Sequence, residues 1–156
     1  MRPVPVAPVA AVDGPPTIGR IALEGIRDGR LPPPATATLL DLDLTDVGDG
    51  TTTFVFRPAA RFDNGAGATH GGILATVADF AVTTSVATVA PEDVRASTAQ
   101  LNVVYLRPVR TGGGPVRCTG RVIRAGRTVA HAEAAVVDDD GREYVRATAV
   151  IHLALP

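Results

Sequence analysis

Between His70 and Pro91 the chain has one ionisable residue, Asp79, set in a run of Gly, Ala, Val, Ile, Leu, Phe, Ser and Thr. A helix this apolar on every side belongs in a protein interior. A carboxylate buried there is costly unless it is paired, protonated or in use. The run opens with His70-Gly71-Gly72 and is preceded by Asn64 in a Gly-rich loop. Seven residues separate Gly72 from Asp79, about two turns at ~3.6 residues each, so helix start and acid share a stripe. Free N–H groups at a helix N-terminus can stabilise a developing oxyanion, and a nearby carboxylate can act as general base or nucleophile. That arrangement reads as a catalytic site. A core acid tied to an Arg of a neighbouring strand is the competing reading of Asp79 taken alone.

Other chemistries fit less well. All 15 basic residues are Arg, so Schiff-base chemistry on Lys is excluded. The two serines, Ser85 and Ser97, lie outside any Gly-x-Ser-x-Gly motif. A single cysteine, Cys118, excludes an internal disulfide and a multi-Cys metal site, and fits a reducing cytoplasm. His131 and His152 have no metal-ligand spacing, so no metal is expected. Gly65-Ala66-Gly67-Ala68-Thr69-His70 lacks the third Gly and the βαβ setting of a dinucleotide loop. A net charge of −1 gives no field to recruit nucleic acid or an anionic membrane. The apolar run matches a membrane span in length, but its central Asp, Gly-Gly start and five Ser or Thr residues argue against one.

The elements that position these residues are legible in outline. Residues 1–16 carry five prolines and read as a disordered arm, leaving 17–156 as one domain. Thr17 caps a helix from Ile18 to about Arg30, with Ile18, Ile21, Ala22 and Ile26 on its apolar side, and Pro32-Pro33-Pro34 stops it. Alternation from Ala37 to Val47 predicts a strand, turned by Asp49-Gly50 into a second over Thr51 to Arg57. After the apolar helix, four strands follow at about 97–107, 115–125, 128–138 and 142–154, joined by Gly-containing turns as a meander. A helix without a polar face needs a sheet curled around it, so the fold class is α+β with an antiparallel sheet wrapping one long helix.

Asn64, His70-Gly71-Gly72, Asp79, and the stretch from Thr98 to Tyr105-Leu106-Arg107-Pro108 together resemble the hotdog-fold acyl-CoA thioesterases of the phenylacetate-degradation-protein branch. The likeness spans roughly residues 36 to 153. It implies hydrolysis of an acyl-CoA or acyl-carrier thioester, with no cofactor beyond the coenzyme A of the substrate. It also implies a cytoplasmic homodimer or homotetramer whose sites lie between subunits, Asp79 working with Asn64, His70 and Gly71 of the partner subunit. By the same resemblance Thr98 helps position water near the carboxylate. Thr83, one turn past Asp79, is a second hydroxyl for that task. Gly71 offers the N–H that polarises the carbonyl, Asn64 holds water or carbonyl, and His70 orients the loop. Gly72 and Ser97 border the substrate, while Arg107, Arg124 and Arg127 are candidates for coenzyme A phosphates. Tyr105 is expected to pack in the sheet, and Cys118 to be inert. The alternatives are a hydratase or dehydratase of the same fold, for which Asn64 and His70 stand too far apart, and an acyl-CoA-binding module without chemistry, which would gain nothing from the acid.

Overall fold

The computed structural model describes residues 15–154; of the expected arm, residues 1–16, the first 14 lie outside the described residues. Helix α1 (Ile18–Arg27) is capped by Thr17, whose hydroxyl accepts the Arg20 N–H. It ends earlier than its sequence suggests, at Asp28 and the positive-φ Gly29, before the prolines are reached. Its inward face also differs from expectation. Ile18 and Ile21 are exposed, while Leu23 and Gly25 are buried. The reason is Gly19, which seats α1 directly on the Ala87 carbonyl at the end of the long helix. There the Thr17 hydroxyl contacts the Ala87 and Thr88 carbonyl oxygens.

The strand expected from Ala37 begins later. Ala35–Leu40 forms a short helix, α2, closed by Asp41 in the left-handed region at φ 52°, and strand β1 spans Leu42–Gly48. Ala37 and Leu40, the buried residues of α2, stand three apart as a helix requires, but the Leu40-Leu42-Leu44 alternation that follows masks this in so short a window. The hairpin to β2 (Thr51–Phe56) forms as expected, with Gly48 opposite Thr51 and Gly50 at φ 69°.

After a 3-10 turn at Ala60–Phe62 comes the long helix α3 (Gly71–Ala87). Strands β3 (Arg95–Tyr105), β4 (Val116–Ala125), β5 (Val129–Val137) and β6 (Glu143–Ala154) complete a six-stranded antiparallel sheet of order β1-β2-β4-β5-β6-β3. The last four strands are therefore not a simple meander. β3 runs to the far edge and pairs with β6, and the Gly112-Gly113-Gly114 segment belongs to a long return crossing rather than a tight turn. The burial patterns explain the placement: β4, β5 and β6 carry regularly alternating buried residues, whereas no residue of β3 is fully buried.

The sheet wraps α3 closely. Gly120 on β4 sits where a Cβ would overlap the Ala81 carbonyl, and Thr52 on β2 donates to that same oxygen at 3.1 Å. Contact this close between helix and sheet requires glycine. Val77, Ala78, Ala81, Val82 and Val86 are fully buried against it. The opposite side of α3, with Ala75, Thr76, Asp79, Phe80 and Thr83, is only half-buried in the single chain. An apolar helix here does not mean a helix covered on all sides.

Candidate active site

Asp79 lies on that open side. Its Oδ1 accepts a 2.6 Å hydrogen bond from the Thr98 hydroxyl, and the Thr83 and Thr98 hydroxyl oxygens are 3.0 Å apart. Each hydroxyl carries one proton, so with Thr98 donating to the carboxylate, Thr83 donates to Thr98. The β-bulge between Thr98 and Gln100 falls where β3 passes the acid, and bulges re-aim side chains in this way. Among the described residues no Arg pairs with Asp79 and no donor other than Thr98 reaches it. The core-acid reading, which needs such an Arg, therefore has no support. Asp79, Phe80, Thr83, Thr84 and Thr98 line a cavity of about 330 Å³.

The helix start forms a second cluster. His70 is the N-cap of α3, and its Nδ1 accepts the Gly72 N–H at 3.1 Å, which places the proton of the neutral ring on Nε2. His70 thus orients the loop, and its own N–H donates to the Phe62 carbonyl at 2.8 Å. The N–H of Ile73 returns to His70 O at 3.0 Å. With Gly72 and Ile73 occupied, Gly71 carries the one first-turn N–H without an acceptor among the described residues. Gly72 has no donor left for a substrate.

Asn64 sits in the loop before the helix. Its N–H donates to Ala68 O at 2.8 Å, and its side-chain oxygen accepts the Ala66 N–H at 2.9 Å. Neighbouring Asp63 anchors the same loop, accepting from Gly65 N–H at 2.6 Å and from the Thr111 hydroxyl at 2.7 Å. These bonds, the Thr111 hydroxyl foremost, hold its carboxyl below the usual carboxylate range. Asn64, Gly71, Tyr105 and Arg107 line one cleft of about 290 Å³. It shares no lining residue with the Asp79 cavity. The candidate residues therefore fall into two groups within a chain, helix-start donors in one and the acid with its two threonines in the other.

The remaining candidates are scattered. Ser97 points to the opposite face of β3 from Thr98 and is exposed. Arg107 borders the Asn64 cleft, with one guanidinium N–H on the Glu143 carbonyl at 2.6 Å. Arg124 and Arg127 flank the exposed β4–β5 turn. That turn is at the C-terminal end of α3, where Gly50 receives the Val122 N–H and donates to Thr88 Oγ1. It is the end of the sheet remote from Gly71. Cys118 is buried, which pushes its thiol up to about 12 and leaves it unreactive. Among the described residues no cluster of three metal-ligating side chains occurs, and no helix is long and apolar enough to cross a membrane.

Tyr105 does not pack in the sheet. It is half-exposed, and its hydroxyl donates to the Gly71 carbonyl at 2.7 Å. The available signal was Tyr105 beside the Arg107-Pro108 strand end, yet nothing local ties it to a glycine 34 residues earlier.

The thioesterase superfamily is matched over residues 66–145, 80 of the 156 residues. A Halobacterium salinarum protein bearing an esterase name is 36% identical over 105 residues, which cover 64% of this chain and 68% of that relative. A phenylacetic acid degradation-related protein of Ralstonia eutropha is similar in structure, with TM-score 0.75 and 26% identity over 83% of this chain and 98% of that one. The PaaI protein of the Escherichia coli phenylacetic acid degradation operon superposes with TM-score 0.76 at 18% identity, covering 86% and 95% of the two chains. The sheet curled around α3 is the hotdog fold.

Proposed function

The chain belongs to the thioesterase superfamily, and from that premise we propose that it hydrolyses an acyl-CoA or acyl-carrier thioester to a free acid and a thiol. The observation that carries the reading is Asp79: a carboxylate without an ion-pair partner among the described residues, held by Thr98 and facing a cavity. In one route it takes a proton from water as the oxygen adds to the carbonyl carbon. The oxyanion forms against the Gly71 N–H, and collapse expels the thiolate, which receives the proton from Asp79. In the other, a carboxylate oxygen attacks the carbonyl, the thiolate leaves, and water opens the resulting anhydride.

The separation of the two clusters supports a site shared between subunits. The β3 edge is unpaired in the single chain and bears exposed Val104, Tyr105 and Leu106, the kind of edge that a second copy covers. In such a dimer Asp79 and Thr98 of one subunit meet Asn64 and Gly71 of the partner subunit.

The test is a thioester panel read with a thiol-trapping dye. Asp79→Asn should lower kcat by on the order of a hundredfold or more without loss of fold. Hydroxylamine trapping during turnover separates the routes, since only the anhydride path forms an acyl-enzyme whose capture converts Asp79 to a hydroxamate or releases the acyl hydroxamate. Mixed dimers of Asn64→Ala and Asp79→Ala protomers should recover activity that neither parent has. Hydration of a crotonyl thioester with no thiol release would overturn the reading in favour of a hydratase.

A further inference from the structure

A second cavity, of about 230 Å³, adjoins the Asp79 cavity and shares Phe80 and Thr84 with it. Its other walls are Leu23 and Ile26 of α1, Ala37 of α2, and Leu42, Leu44 and Phe54 of the hairpin. All of these precede residue 66, where the family match begins.

The structure explains why it stays open. Pro33 and Pro34 form part of the wall, and their fixed φ resists inward collapse. The Phe54 and Phe80 rings brace each other at 6.0 Å between centroids. The charged groups at the rim are committed elsewhere: Arg27 Nε pairs with Asp28 at 2.8 Å, and Asp43 with Arg57 at 2.7 Å. Both external pairs leave the cavity without an uncompensated charge to greet an ionised group.

We propose that this cavity receives the acyl group of the substrate and selects an uncharged, compact apolar acyl chain, with Phe80 as the residue past which the chain must run. The inference rests on the thioester reading. The two cavities share Phe80 and Thr84, and Phe80 follows Asp79 on α3, so an acyl chain leaving a carbonyl at the acid has a path past Phe80 into the second space. A dry cavity of ~150 Å³ takes a benzene ring. The larger space here takes a ring on a short tether, or a linear chain of similar carbon count. A terminal carboxylate driven into its depth would meet only the Leu, Ala and Phe walls, away from the rim where Asp28 already holds Arg27.

The experiment compares kcat/KM for acetyl, hexanoyl, phenylpropanoyl, palmitoyl and succinyl thioesters of coenzyme A. Hexanoyl or phenylpropanoyl should exceed acetyl and succinyl by about tenfold or more, and palmitoyl should fall away, since one methylene in an apolar pocket changes rates ~10–200-fold. Ala37→Leu, which fills the cavity, should lower the phenylpropanoyl-to-acetyl ratio at least about tenfold. Leu23→Ala, which enlarges it, should move the optimum to longer chains. An unchanged profile in either folded variant, or a preference for acetyl or succinyl in the native enzyme, overturns the assignment. If the native protein cleaves none of the panel, the thioesterase reading fails on its own. Binding of a non-hydrolysable phenylpropanoyl thioether then decides the cavity: weaker binding by Ala37→Leu supports it, and equal binding rejects it.

Discussion

The Tyr105 phenol occupies the space that a side chain at Gly71 would take. An added Cβ at Gly71 would stand 3.1 Å from Tyr105 Cζ and 3.2 Å from its Oη, and the hydroxyl meanwhile donates to the Gly71 carbonyl at 2.7 Å. A methyl at Gly71 would have to push this ring aside by a few tenths of an ångström, so the pair is tightly fitted. The bond also orients the peptide that follows Gly71, at the turn whose preceding N–H has no acceptor among the described residues.

The pair should behave as a unit. Tyr105→Phe removes one part-exposed hydrogen bond, with an expected cost of about 1 kcal/mol or less in stability and a several-fold loss in kcat/KM. Gly71→Ala should displace the ring and cost more activity than stability. In the double variant the effects should be less than additive, because the second change has no bond left to break. Full additivity in melting and turnover measurements would show that the two residues act separately.

Thr98→Val keeps shape and removes the donor to Asp79. We expect kcat to fall about tenfold with KM nearly constant, because the hydroxyl holds the acid rather than the substrate. Thr83→Val should lose less, since Thr83 acts through Thr98, and Thr83→Ser should restore the native rate. A rise in KM with unchanged kcat would place these hydroxyls in substrate binding instead.

Gly120→Ala should be among the most destabilising single changes in the sheet. The new methyl overlaps backbone atoms of Ala81 and Val82, which cannot rotate away. Overpacking of this kind costs roughly 3 kcal/mol, or a drop of about 6–12 °C in Tm for a domain of this size. Gly114→Ala, with open space around it and no positive φ, is the control and should leave Tm unchanged.

The Asp63 carboxyl is depressed in the folded state by the Thr111 hydroxyl and the Gly65 and Gly67 N–H groups. Its contribution to the Asn64 loop is complete above the ordinary value of 3.8 and is lost as pH falls through the lower folded value. Melting curves of the native protein and Asp63→Asn should therefore differ at neutral pH and converge in strong acid. A constant difference across that range would mean that ionisation of Asp63 does not hold the loop.

The sequence made the helix start, the acid, the β1–β2 hairpin and the strand count readable, because each has a local signature: a cap, a lone charge, Asp49-Gly50, alternation. What it hid depends on contacts remote in the chain. Gly120 in a strand signals close approach of some backbone, but not that the backbone is Ala81. Ile18 and Ile21 look like the inner face of α1 until Gly19 is found against Ala87. The edge position of β3 follows from competition among strands for the centre, which no single strand declares. Asp79 and Thr98 were each legible; the bond between them waited for the bulge.

The contact at Gly120 also gives α3 a fulcrum. Ala81 lies two residues from Asp79 and ten from Gly71, lever arms of about 3 Å and 15 Å at ~1.5 Å per residue. A tilt of about 5° around this point shifts the helix start by roughly 1.3 Å and the acid by only about 0.3 Å. A displacement imposed at the Gly71 end would thus reach Asp79 about fivefold attenuated, and the Asp79–Thr98 bond would keep nearly its length. A helix pinned nearer its start would have transmitted the same adjustment to the acid.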